Sequence, residues 1–97
     1  MNIDTIYAIK LMSGEEMLTK VVGETGEYYR ITNPVSVAPS QRGIGLMPSM
    51  FTAEAEDEVF LRKESVVLYT NPTEEIRVKY IEATTGIQVP EKKVILG

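Results

Sequence analysis

The sequence predicts a mostly β domain, a small barrel or sandwich, followed by one C-terminal helix. Three observations carry this expectation. Runs rich in β-branched and aromatic residues recur with turn-forming residues between them, about every 8–12 positions. After Asn71 the apolar pattern changes from alternation to helical spacing. At 97 residues the chain suits one domain with a thin core, since a chain of this size buries roughly 60–70% of its extended surface.

The first strand runs from Thr5 to Met12, where Tyr7, Ile9 and Leu11 alternate with Ile6, Ala8 and Lys10. Ser13-Gly14-Glu15 ends it, and glycine there supplies a positive φ without strain. Met17 to Val22 forms the second strand, and Gly23-Glu24-Thr25-Gly26 reads as the next turn. Tyr28 to Ala38 is a long, bent third strand. Asn33-Pro34 interrupts it, because proline has no ladder donor and favours an edge or a bulge. Pro39 to Gly45 reads as a loop. Leu46 to Ala53 is the fourth strand and Glu54 to Glu58 an acidic loop. Extended structure resumes over Val59 to Leu61, and Ser65 to Tyr69 is the fifth strand.

The helix is expected over residues 72–84, give or take about 2–4 positions at each end. Asn71 suits the N-cap and Pro72 the first helical position. Glu74 and Glu75 then place negative charge in the first turn, at the positive end of the helix dipole. Ile76, Tyr80 and Ala83 recur at helical spacing with Ile81 beside them, and Gly86 is the stop. Residues 87–97 read as a short strand or a tail. The barrel would cover about 5–70 of a single domain.

Composition narrows the function. Charged residues are 25% and apolar residues 43% of the chain, as in folded proteins. No apolar run approaches the ~18 residues that span a bilayer, and the first residues lack the basic and apolar regions of a secretory signal. The expectation is a cytoplasmic protein with no membrane partner. A net charge of −4 argues against a broad phosphate-binding face and leaves room for a local basic patch.

Catalytic chemistry finds little to work with. The chain has no cysteine and no histidine, which removes thiolate sites, the commonest general base and every Ser-His or Cys-His pair. Gly43-Ile44-Gly45 is followed by Leu46-Met47-Pro48 rather than by a helix, so it reads as a hairpin connection, not a phosphate loop. Glu54, Glu56, Asp57 and Glu58 lack the spacing of a calcium loop and read as a solvated run. Neither an enzyme nor a cofactor or metal is expected. Tyr28-Tyr29 puts one ring on each face of a strand, and the exposed ring is a candidate stacking platform for a base.

Two segments resemble the Sm-like family, which includes the Sm and LSm proteins and the bacterial RNA chaperone Hfq. Ile9-Lys10-Leu11-Met12-Ser13-Gly14-Glu15, followed by Met17 to Val22, resembles the family's first motif, a strand and turn glycine leading into a bent second strand. Val59-Phe60-Leu61-Arg62-Lys63-Glu64-Ser65-Val66-Val67-Leu68 resembles its second motif, an apolar residue, Arg-Gly or Lys-His, and a short final strand. The resemblance spans about residues 5–70. Departures are Thr25-Gly26-Glu27 where Sm proteins carry Asp and Asn, Lys63 in place of the glycine, and a helix after the barrel instead of before it. Short bacteriophage-encoded Sm-like proteins are similar in these respects, which implies a bacterial host cytoplasm.

The resemblance implies a five-stranded, strongly bent barrel. It also implies a homo-oligomeric ring made by pairing the fourth strand of one subunit with the fifth of the next. Leu46, Met47, Met50 and Phe51, with Val66 and Val67, are the expected interface. It further implies that nucleic acid meets the two pore loops, here Gly23–Tyr28 and Arg62–Glu64, so Arg62, Lys63, Gly26 and Tyr28 are the candidate contacts. Two functions follow. One is weak binding of single-stranded RNA at Arg62 and Lys63. The other is a structural or adaptor ring that binds another protein, favoured by the acidic balance and by Glu27 and Glu64 beside the basic pair.

Overall fold

The computed structural model describes residues 1–85. They form a mostly β fold, an antiparallel sheet of six strands with one helix after it. The strands are β1 (Thr5–Leu11), β2 (Glu16–Thr25), β3 (Tyr28–Ser40), β4 (Gly43–Pro48), β5 (Val59–Arg62) and β6 (Val66–Thr70), and the helix is α1 (Glu74–Thr85). A single 3-10 turn, Lys63–Ser65, joins β5 to β6. The hydrogen-bonded order is β4-β3-β2-β1-β6, with β5 also on β3. Among the described residues no strand pairs with the outer edges of β4, β5 or β6, so the sheet is not closed.

The sheet has an apolar core on each face, because neighbouring residues of a strand point to opposite sides. Tyr7, Ile9, Met17, Val21 and Ile31 are buried on one face, with Tyr29, Val59, Leu61 and Val66 packed against them. Leu18 and Val35 lie on the other, where Ile76, Tyr80 and Ile81 of α1 cover them. The alternation expected in β1 is therefore present, with Tyr7 and Ile9 facing in.

A bulge in β3 makes the architecture possible. Leu18 pairs with Val35 and Lys20 with Thr32, so Asn33 and Pro34 together face Thr19. Asn33 has φ 51°, a left-handed conformation that asparagine tolerates. Its N–H leaves the ladder and donates to Ala55 O at 2.8 Å, while Tyr80 Oη donates to Asn33 O at 2.8 Å. Proline, lacking a donor, leaves nothing unsatisfied. Before the bulge β3 pairs with β5, from Tyr28↔Arg62 to Ile31↔Val59. After it β3 pairs with β4, from Val35↔Pro48 to Ser40↔Gly43.

Several boundaries differ from the sequence expectation. The expected fourth strand, Leu46 to Ala53, stops at Pro48, and Met50 and Phe51 lie in the connection to β5 rather than on a strand. Ser49 N–H donates to Pro34 O at 3.0 Å, which turns this connection across the bulge. Conversely, most of the loop expected over Pro39–Gly45 is strand, with only Gln41-Arg42 as its turn. β2 runs on to Thr25, so the turn is Gly26-Glu27, not Gly23 to Gly26.

The helix, Glu74–Thr85, falls within the expected bounds, but its cap differs. Thr73 Oγ1 accepts from Ile76 N–H at 3.3 Å, which makes Thr73, not Asn71, the cap. Ala83 is exposed, and Ile81 takes the packing place expected for it. No described helix is long and apolar enough to cross a membrane. The strand or tail expected over 87–97 lies outside the described residues.

Candidate nucleic-acid interface

The β2–β3 turn and the β5–β6 connection meet at one end of the sheet. Gly26 supplies the turn with φ 55° and has open space where a β-carbon would sit. Glu27 O accepts from Lys63 N–H at 2.8 Å, so a backbone hydrogen bond holds the two segments together. Four residues singled out in the sequence, Gly26, Tyr28, Arg62 and Lys63, are thereby brought to one end of the sheet, with the Arg62 side chain over Tyr28 and that of Lys63 over Tyr29 on the opposite side.

Tyr28 and Arg62 are register partners across β3 and β5. The Arg62 guanidinium lies over the Tyr28 ring, 5.7 Å from its centroid, and Nη1 donates to Tyr28 Oη at 3.4 Å. A planar cation over an aromatic face is an ordinary attractive pair. Lys63 Nζ lies 5.3 Å from the Tyr29 ring centroid. Phe60 meets Tyr28 edge to face, with centroids 6.1 Å apart and planes at 80°. Tyr29 packs on the core, as the alternation of a strand requires, whereas Tyr28, the ring expected to be exposed, is half-buried against Arg62 and Phe60.

Carboxylates accompany both cations. Arg62 Nη2 is 3.1 Å from Glu64 Oε1, and Nε donates to the same oxygen at 3.2 Å. Lys63 forms an ion pair with Glu24. The hydrogen bond from Lys63, and then its charge, hold the Glu24 carboxyl below its usual range. Such exposed pairs are worth little in water, so a phosphate competing for Lys63 or Arg62 meets a small barrier. Glu24 lies within the expected pore loop Gly23–Tyr28, but its pairing with Lys63 is not foreseen from the sequence, where Glu27 is the acid expected there.

Two further residues share this face and were missed in the sequence. Arg30 pairs with Phe60 across β3 and β5, one step along from Tyr28 and Arg62. Phe60 is 55% exposed. Period-two alternation from Tyr28 and Arg62 was the signal that could have found them. Among the described residues no group of three or more acidic, histidine or cysteine side chains could hold a metal ion.

The expected interface residues occupy different surroundings. Leu46 packs against the second core, and Val66 against the first. Met47, Met50, Phe51 and Val67 are exposed, and so are Leu68 and Tyr69. These exposed apolar groups lie along β4, along the connection after it and along β6, and among the described residues no strand pairs with the outer edges of β4 and β6. Compared with known proteins, the chain matches no family model and no curated sequence.

Proposed function

We propose that this chain is a non-catalytic Sm-like protein that assembles into a homo-oligomeric ring and binds single-stranded RNA where Tyr28, Arg62 and Lys63 meet. The observation that carries the reading is the Arg62 guanidinium 5.7 Å from the centroid of its cross-strand partner Tyr28, tied to the β2–β3 turn by the Lys63–Glu27 backbone bond. With the guanidinium stacked over the Tyr28 ring, a base would meet the outer face of the Arg62 plane and a phosphate its fork. A ring would repeat the two cations together with their partners Glu24 and Glu64 once per subunit, so the positive charge offered to RNA is what phosphates gain by displacing exposed carboxylates.

Support for assembly comes from the strand order. The final strand returns to β1, and β3 is shared by the strands after it, as a bent five-stranded barrel would require if β4 and β5 count as one interrupted strand. Among the described residues, the β4–β5 margin and the β6 margin have no strand partner on their outer side and carry exposed apolar side chains. Pairing one with the other is heterologous, and heterologous contacts close into rings when the rotation permits.

The adaptor ring remains the second reading, on one specific observation: Glu24 and Glu64 already partner the two cations. A fluorescence titration of short U-rich and A-rich RNA at two salt concentrations separates the two. RNA binding predicts an affinity that falls steeply with salt and is abolished by Arg62→Ala with Lys63→Ala. No binding at ~50 mM salt, where phosphate contacts are strongest, overturns it in favour of the adaptor.

A further inference from the structure

Tyr28 and Arg62 are half of a larger pattern. Tyr28 and Arg30 alternate along β3, and Phe60 and Arg62 alternate along β5. All four share one face, since the residues between and beside them, Tyr29, Ile31 and Leu61, pack on the core behind. In register, Tyr28 opposes Arg62 and Arg30 opposes Phe60. Each strand therefore carries one ring and one guanidinium, in opposite order, and the face is a two-by-two checkerboard of rings and guanidinium groups.

The two halves differ in charge. Arg62 has Glu64, whereas among the described residues no carboxylate lies within ion-pairing distance of Arg30. Arg30 Nε is buried without a hydrogen-bond acceptor, and Nη2 reaches only Val22 O, at 3.4 Å. Gly23 makes room for this group, because a β-carbon there would collide with the guanidinium. A cation held without a counter-charge is a place where a ligand anion gains more than at a neutralised pair. Beside it, Phe60 keeps 55% of its surface exposed despite its edge contact with Tyr28.

We propose that Arg30 and Phe60 form a second nucleotide subsite on the sheet face, with a phosphodiester oxygen on the terminal nitrogens of Arg30 and a base stacked on Phe60. This rests on the reading that single-stranded RNA binds at Tyr28 and Arg62. Two residues along a strand span about 6.8 Å, so the two ring-and-cation pairs offer separate positions to successive bases of an unstacked strand. The strand runs from the turn onto the sheet instead of ending at the turn.

The test is a fluorescence anisotropy titration of a labelled fifteen-nucleotide uridine strand with the full chain, repeated from about 50 to 200 mM salt. Phe60→Leu, which keeps an apolar β-compatible side chain, weakens binding about fivefold or more and leaves the salt slope unchanged, the loss expected for one stacked base. Arg30→Gln lowers the slope of log K against log salt by about 0.7, the value of one phosphate contact on a single strand. If the wild type binds, and Arg62→Ala with Lys63→Ala abolishes binding, while Phe60→Leu and Arg30→Gln match the wild type, the second subsite is overturned and the first survives. If the wild type does not bind, both fall. Should Phe60→Leu also change the assembled mass, photocrosslinking of the wild type to a 5-iodouridine strand decides. An adduct on Phe60 supports the subsite, and adducts confined to the turn overturn it.

Discussion

Gly23 shows how much one missing side chain can decide. It sits inside β2, opposite Arg30, with an ordinary backbone conformation, so its role is space and not flexibility. Gly23→Ala would push aside the end of a flexible arginine, which costs little. The expected result is a change in stability below about 1 kcal/mol, within the range of most substitutions away from a rigid core. RNA affinity should nevertheless fall, with a salt slope resembling that of Arg30→Gln. A urea melt and an anisotropy titration of the same variant check both halves. Tyr80 makes a second case. It is only 3% exposed, and burial pushes its hydroxyl up to about 12 from an ordinary 10.0. The unfolded chain loses this proton first, so the group's contribution is full below about pH 10 and is lost as pH rises towards about 12. Wild type should therefore lose stability relative to Tyr80→Phe across that window in pH-dependent melts. At neutral pH Tyr80→Phe should cost about 1–3 kcal/mol, because Asn33 O loses its buried donor.

The elements were legible where a pattern repeats and obscure where a single hydrogen bond decides. Tyr7 and Ile9 alternate, and β1 follows from them. Ile76 and Tyr80 are one helical turn apart, and both face the sheet. The helix start could not be read, because Asn71, Thr73 and the two glutamates all favour a helix N-terminus, and only the distance from Thr73 Oγ1 to Ile76 N–H chooses among them. Thr73→Ala should therefore lower stability by about 1 kcal/mol, whereas Asn71→Ala should stay within about 0.5 kcal/mol, as paired thermal melts would record. β4 shows a different failure. Pro39, Gly43 and Gly45 are turn-formers in isolation, yet the pairing of β3 with β4 carries all three into strands, Pro39 in β3 and the glycines in β4. Met50 and Phe51 continue the apolar run past Pro48, but the Asn33-Pro34 bulge draws their segment out of the ladder. That bulge was visible as a proline in a strand, although its consequence, one long strand with two successive partners, is a tertiary fact.

At the scale of the whole molecule, the site was half legible. Arg62 and Lys63 stand together in the chain, and resemblance to a known motif singled out Gly26 and Tyr28 beside them. Arg30 and Phe60 come to the same end only through the register of β3 and β5. The same register leaves an open sheet with an apolar margin on each side. Leu68, on β6, is 63% exposed. Leu68→Asp should reduce the assembled mass in light scattering without unfolding the monomer, since a surface charge on an edge strand discourages pairing. Assembly and RNA binding meet in one measurement: sedimentation velocity of the full chain with a fluorescently labelled fifteen-nucleotide uridine strand at ~50 mM salt, where phosphate contacts are strongest. The label should travel with a species several times the 10.8 kDa monomer mass and be released as salt is raised. A label that sediments free, or with a 10.8 kDa monomer, would contradict that expectation.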